Sequence, residues 1–401
     1  MRLAFLWVLM TFCSWNFAVE NTVENDREPK GKTVTLVFTE DLRFGSDEEG
    51  LEYLWADPSS LVEADANGNI YVGDVRDRRI LQFDKDGQFV KFIAKQGQGP
   101  GELQALADLS ILKDGSMIAL NSGPGVLPKF LFFDQDMKYK DTKAPEGFSK
   151  VVVSSEFAPD GKIFAGMFLA FDMEKGTMKM KVGALDMNFE VLKQLSERDQ
   201  SFDPAAFQSP QGLSKFLSDT LRNAYKGTGM MHFDKEGNAY SAISNDYTIT
   251  KWSPDLSTKL MVIKRKYKPI PNTEERIDAI AENTLDTFRN GPLASMITDQ
   301  LKKNIIEKAE LPIVVNPVNG IITMEDGHLL VVHDVNFATG EQIVDIFNAK
   351  GEFQGQSTMD SWAFYNRNGL TSMIFKNGFA YCLETDDLGD NRVVRYKYEF
   401  K

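Results

Sequence analysis

An acidic or amide residue followed by glycine recurs six times along this 401-residue chain. The pairs are Asn67-Gly68, Asp114-Gly115, Asp160-Gly161, Glu236-Gly237, Asp326-Gly327 and Asn377-Gly378. Each has the chemistry of a hairpin turn, where glycine takes a positive φ that other residues resist. Each precedes an apolar strand: Ile70 to Val72, Met117 to Leu120, Ile163 to Ala165, Ala239 to Ala242, Leu329 to Val332 and Phe379 to Leu383. A second strand follows in most copies and often ends in an aromatic and a polar turn, as in Ile80-Leu81-Gln82-Phe83-Asp84. Self-similarity of this kind constrains the architecture more than composition does. One four-stranded sheet cannot bury both faces, whereas six in a ring bury them between neighbours. The expected fold class is all-β: a six-bladed β-propeller occupying 33–401.

A ring must hide its last strand edge. Thr33 to Phe38 is a free apolar strand before the first repeat, and the last copy reaches Lys401 after its third strand. The expectation is that Thr33 to Phe38 supplies the outer strand of the last blade, an independent N-terminal hairpin being the alternative. Two longer gaps carry helical spacing. Ser209-Pro210 offers an N-cap and first-turn proline, and Leu213, Phe216, Leu217, Leu221 and Tyr225 follow at helical intervals. Ile277, Ile280, Ala281, Leu285 and Phe288 form a second stripe, and Leu293, Ile297, Leu301 and Ile305 a third. These predict helical insertions at about 203–226 and 272–311, the second between blades four and five. Their stripes are expected to pack on the propeller; a lid or partner-binding face is the alternative.

Residues 1–18 read as an export signal, with Arg2 ahead of an apolar run from Leu3 to Phe12 that is too short for a membrane span. Residues 19–32 then read as a polar linker. Cys13 raises a second reading, a lipoprotein acylated on that cysteine, although bulky Phe12 stands where a small residue is wanted. The protein is therefore expected to be exported, periplasmic or extracellular. Nothing else approaches spanning length. If Cys13 leaves with the signal, Cys382 is the only thiol and no internal disulfide forms. Lys+Arg number 45 against 58 Asp+Glu, a net charge of −13, which argues against a nucleic-acid binder.

The stretch NIYVGDVRDRRILQFDKDGQFVKFIAKQGQGPGE, from Asn69 to Glu102, is the most specific. Its Asp74, Arg79-Ile80, Asp84 to Gly87 and Gly97 to Glu102 resemble an NHL repeat. The G-x-G-P-G-E form is also similar to that of exported six-bladed propellers common in Bacteroidota. The resemblance implies the fold and an exported setting, in a family of scaffolds, sensors and some enzymes. The glycine segment has no Lys-Ser/Thr ending and leads into a strand, so it reads as an inter-blade turn rather than a phosphate cradle. The D-x-D-G piece at Asp84 lacks the distal glutamate of a calcium loop and also reads as a turn.

No G-x-S-x-G, H-E-x-x-H, C-x-x-C or Walker pattern occurs. What remains is the channel mouth. The sixth position after each repeat glycine falls near the end of a second strand: Asp74, Asn121, Met167, Ile243, His333 and Glu384. Asp74, Asn121, His333 and Glu384 are the candidate ligand-binding residues. Asp74, Asn121 and Glu384 are oxygen donors of the kind that hold Ca²⁺, as six-bladed lactonases do at such a mouth. The competing reading is that they cap strands and bridge blades. His232, His328 and His333 sit at different depths, which disfavours a zinc site. Asp386, Asp387 and Asp390 read as a solvated hairpin tip, and Trp362, Phe364 and Tyr365 as packing or a binding anchor. The functional expectation is an exported binding propeller holding a protein, peptide or glycan at the mouth. The alternative is a metal-dependent hydrolase or lyase there.

Overall fold

Six of the hairpin turns share one device. Asp65 Oδ1 accepts the backbone N–H groups of Asn67 and Asn69, two and four residues on. Asp84, Asp134, Asp186, Asp234 and Asn348 do the same at their own turns. The side chain thus satisfies donors that the chain reversal leaves open. The residue three places after the aspartate closes the turn at positive φ, as at Gly68 with φ 84°. Met137, Phe189 and Leu256 hold equivalent places without glycine, at φ 61°, 64° and 60°. All three side chains are buried, which offsets a backbone cost of about 1–2 kcal/mol each. Asp84 to Gly87 is such a turn.

The computed structural model describes residues 21–45, 50, 53, 61–123, 125–144, 151–172, 175–201, 204–289, 293–359, 373–385 and 390–401. Export-signal residues 1–18 with Cys13, the aromatic cluster Trp362, Phe364 and Tyr365, and Asp386 and Asp387 lie outside them. The first two strands in the chain are β1 (Thr22–Asn25) and β2 (Leu36–Phe44). Blade 1 is β3 (Leu61–Ala64), β4 (Ile70–Asp74), β5 (Arg79–Phe83) and β6 (Phe89–Ala94). Blade 2 is β7 (Asp108–Ile111), β8 (Met117–Gly123), β9 (Val126–Phe133) and β10 (Tyr139–Lys143). Blade 3 is β11 (Val151–Phe157), β12 (Ile163–Asp172), β13 (Thr177–Asp186) and β14 (Val191–Ser201). Blade 4 is β15 (Gly229–Phe233), β16 (Ala239–Ile243), β17 (Thr248–Trp252) and β18 (Lys259–Arg265). Blade 5 is β19 (Gly320–Thr323), β20 (Leu329–Val335), β21 (Gln342–Phe347) and β22 (Phe353–Met359). Blade 6 is β23 (Ile374–Lys376), β24 (Phe379–Thr385) and β25 (Asn391–Phe400), completed by β2.

The core lies between blades, one apolar cluster at each of the six junctions. Ile80 and Leu131, Leu120 and Phe164, and Ala184 and Phe233 share the first three clusters. Ile263 and Val331, Val344 and Ala380, and Phe83 and Tyr381 belong to the others. This is why an open-edged sheet with two apolar faces is stable only in a closed ring.

Closure follows the expected route with a different register. β2 pairs antiparallel with β25 from Leu36–Phe400 to Phe44–Val393, so the strand runs beyond Phe38 through the polar TEDLRF stretch. Val34 N–H bonds Gln354 of blade 5 instead. The linker reading of 19–32 needs correcting at Thr22–Asn25. This segment adds to blade 4 as a fifth strand, parallel to β18. A four-residue edge strand, TVEN, has too little apolar pattern to show in sequence. Asn25 then bonds Gly351 O at 2.9 Å and Phe353 N at 2.8 Å in blade 5. The N-terminal segment is a strap across the rims of blades 4, 5 and 6.

The insertions contain α1 (Pro210–Ala224), α2 (Glu274–Arg289) and α3 (Asp299–Ala309). Ser209 caps α1 by accepting Gly212 N–H at 3.1 Å, and Thr298 caps α3 through Leu301 N–H at 3.1 Å. Their apolar stripes meet one another rather than the propeller as expected: Leu213, Leu217, Leu221, Leu285, Leu301 and Ile305 form one buried cluster. Two insertions 50 residues apart in sequence are one three-helix unit, because each stripe alone is too narrow to bury itself.

Candidate functional site

Strand direction sets which groups reach which face. The second strand of each blade ends beside the loop that enters the same blade, so these ends and loops share one face, the mouth. The helical unit leaves the ring there, between blades 3 and 4 and between blades 4 and 5. The four expected mouth residues each bond within their own blade. Asp74 is buried, and its Oδ2 accepts Arg79 Nε–H at 2.8 Å while Oδ1 accepts Asp77 N–H at 3.1 Å. Asn121 is buried, and its Oδ1 accepts Gln104 and Ala105 N–H at 2.7 and 3.2 Å. His333 Nδ1 lies 2.8 Å from Pro317 O, with the ring between Tyr247 and Tyr267. Glu384 accepts Arg43 Nη2–H at 2.9 Å and the Tyr396 hydroxyl.

Among the described residues, no three His, Cys, Asp or Glu side chains come together as a metal-holding group. His328 lies 3.0 Å from Asp326 in its turn, and His232 lies on β15, so the three histidines occupy separate settings. The Cys382 thiol is buried, and burial pushes its pKa well up, so it is not a reactive thiolate.

Between blades 1 and 2 the mouth holds an open cavity of about 510 Å³. The glycine segment builds one wall. Glu102 Oε2 accepts Gly99 N–H at 2.7 Å, and Gly97 N–H bonds Leu103 O. A Cβ at Gly97 would lie 1.9 Å from Glu102 Oε2, so a larger residue there would displace the glutamate side chain from the loop. The motif is a loop stapled by its own glutamate, with the carboxylate folded onto the loop. Asn121 pins the next stretch through Gln104 and Ala105. Arg78, Gln96, Gln98 and Gln104 give the cavity its polar side, and Val75, Leu103, Leu106 and Val126 its apolar side. The position-six pattern found Asn121 behind this wall but missed the lining, which comes from the loops before and after it.

Sequence reasoning also missed a polar belt on the innermost strands. Lys376 Nζ of blade 6 lies 3.9 Å from Glu63 Oε2 of blade 1. Asp108 of blade 2 accepts Ser155 N–H and Oγ–H of blade 3 at 2.9 and 3.1 Å. Glu156 accepts Phe233 N–H at 2.8 Å and lies 3.4 Å from His232 Nδ1, both of blade 4. Thr323 of blade 5 donates to Phe233 O at 2.9 Å. Unlike the strand-end groups, these link neighbouring blades. Burial pushes the Asp108 carboxyl up to about 7 and raises Glu63 and Glu156 as well. Burial also pulls His232 down to about 4. Glu156 is 35% exposed towards the channel, yet protein surrounds it and withholds most of the solvation a carboxylate needs. The shared position of Glu63, Glu156 and His232, each five residues before a repeat glycine, was the available signal.

Among the described residues, no helix is long and apolar enough to cross a membrane. Among curated proteins, none matches the sequence. A family described as 6-bladed beta-propeller matches residues 54–247, just under half of the chain. Among solved structures, a member of the duf4221 family from Bacteroides vulgatus is 12% identical over 93% of this chain and 99% of its own, with a TM-score of 0.52. A Bacteroides fragilis protein is 12% identical over 95% and 100%, with a TM-score of 0.48. Virginiamycin B lyase from Staphylococcus aureus is 10% identical over 91% and 99%, at 0.40. At such identities likeness extends to fold alone, and the strand order and the family match agree on it: this chain is a six-bladed β-propeller.

Proposed function

We propose that this is an exported binding propeller that holds a peptide or glycan ligand at the channel mouth, over blades 1 and 2. The observation carrying this reading is the cavity of about 510 Å³, where polar side chains converge without engaging one another. Arg78, Gln96, Gln98 and Gln104 have no side-chain hydrogen bond or ion pair among the described residues. Polar groups set on a rigid scaffold and left unpaired are what a ligand can use. The export reading is supported by the pattern of residues 1–18. The metal-dependent hydrolase reading would need Asp74, Asn121 and Glu384 around one cation, and their bonds within three separate blades favour the binding reading instead.

The test is a screen of defined peptides and oligosaccharides on the mature protein and two tryptophan variants. Val126 lines the cavity, whereas Leu127 is 75% exposed and does not. Val126→Trp is expected to abolish binding that Leu127→Trp leaves intact. Equal binding by both variants would place the ligand elsewhere and end this reading.

A further inference from the structure

The cavity over blades 1 and 2 has a charge character opposite to that of the chain around it. The protein carries a net charge of −13. Yet among the described residues no Asp, Glu, Lys or His lines the cavity, and the one charged lining group among them is the Arg78 guanidinium. Nearby acids are already engaged. Asp74 is held by Arg79, and Glu102 is folded back onto Gly99. Asp77 also faces Arg79, at 3.6 Å. Arg78 itself is exposed and unpaired among the described residues.

The lining therefore offers mainly donors. A guanidinium presents a planar fork of N–H groups that matches two carboxylate oxygens. Gln96, Gln98 and Gln104 add amide groups that can donate to hydroxyl or carbonyl oxygens. A cation placed here would meet, among the described lining residues, no carboxylate and one positive charge. A neutral ligand would use the amides and leave Arg78 idle. Leu103, Leu106 and Val126 supply an apolar surface for a sugar face or an aliphatic side chain.

We propose that this cavity takes a carboxylate-bearing ligand, with Arg78 holding the carboxylate and the three glutamines its polar remainder. The inference rests on the binding reading above and adds the chemical class to it. A uronic-acid oligosaccharide and a peptide C-terminus share this chemistry.

Calorimetric titration of the mature protein with two matched pairs of probes tests it. The first pair is trigalacturonate and its methyl ester; the second is acetyl-Ala-Leu with a free carboxylate and its amide. In at least one pair the acid is expected to bind about 10- to 100-fold more tightly than its neutral partner, the range of a charge-assisted hydrogen bond. Arg78→Ala should reduce the acid to the affinity of the neutral form, with Arg78→Lys between the two. The pair that responds identifies the source of the carboxylate. Added salt should weaken the acid and spare the neutral probe. Arg78 is exposed, so the variant is expected to keep the wild-type melting temperature. Equal affinity of acid and neutral forms, or an unchanged acid affinity in Arg78→Ala, overturns the carboxylate inference and leaves the binding reading standing. No binding by either member of either pair up to about 10 mM overturns both.

Discussion

On the side of blades 4 and 5, Arg265 meets Asp345 at 2.9 Å with both side chains buried, and Arg276 of α2 grips both oxygens of Asp334 at 2.9 and 2.7 Å. On the side of blades 1 and 2, Asp74 holds Arg79 in the same way, but Arg78 beside it stands at the cavity with no such partner among the described residues. What separates the two sides is this one arginine left open at the mouth. Asp345 also accepts Gln356 Nε2–H at 2.6 Å and the Tyr247 hydroxyl, and Arg265 reaches Arg27 O of the strap. The helices tie to blade 5 through Arg276 and Asp334 and bury their apolar stripes on one another. Inserted segments invite a functional reading, but here they close over their own core, while the short loops of the regular blades frame the open site.

The comparison predicts an order of effects. Asp345→Ala leaves Arg265 buried without its carboxylate and should cost about 3–5 kcal/mol, measured by denaturant unfolding. Leu301→Ala opens the helical cluster, where Leu301 is buried, at about 2–5 kcal/mol. A cost near zero would mean that the helices do not share a cooperative core with one another. Arg276→Ala strands buried Asp334 and should cost about 1–3 kcal/mol, with faster amide exchange in Glu274–Arg289 as its local signature.

The channel belt sharpens the contrast through pH. Asp108 holds its proton in the folded state up to about 7, whereas the unfolded carboxyl releases it near 4. The folded state binds the extra proton between those values, so Asp108 lowers stability as pH rises from about 4 through 7. His232, pulled down to about 4, acts in the opposite sense and lowers stability as pH falls below about 6.5. Asp108→Asn keeps an acceptor for Ser155 and should reduce the loss of melting temperature between pH 5 and 7 (approximate bounds from those titrations). An unchanged pH profile would show that Asp108 ionises freely. At the small end, Arg78→Ala should shift stability by no more than about 0.5 kcal/mol, since Arg78 holds nothing in place.

Much of the ring could be read from the chain. The glycine turns and following strands located the blades, because a hairpin's needs are local. The strap was harder to see. Thr22–Asn25 becomes a strand only because β18 offers it an edge 240 residues away, and no local pattern records that. The helices were visible at 3.6-residue spacing, but what their stripes touch depends on where the ring brings them. For the site, position six selected Asp74, Asn121, His333 and Glu384 for their chemistry; Asn121 alone among them holds residues that line the cavity. Arg78, Gln96 and Gln104 lie in irregular loops where spacing carries no signal, and Gln98 lies inside the glycine motif, which reads in sequence only as an inter-blade turn. Glu63, Glu156 and His232 do share a repeat position, but their meaning needs the neighbouring blade.

The most direct test of the binding account is amide hydrogen exchange with and without the peptide or oligosaccharide retained by the screen. The account predicts protection of Gln96–Leu106 and Ser122–Val126, with Glu274–Ala309 unchanged. Protection centred on the helical unit, with the blade 1 and 2 loops unaffected, would contradict it and make the helices the binding surface.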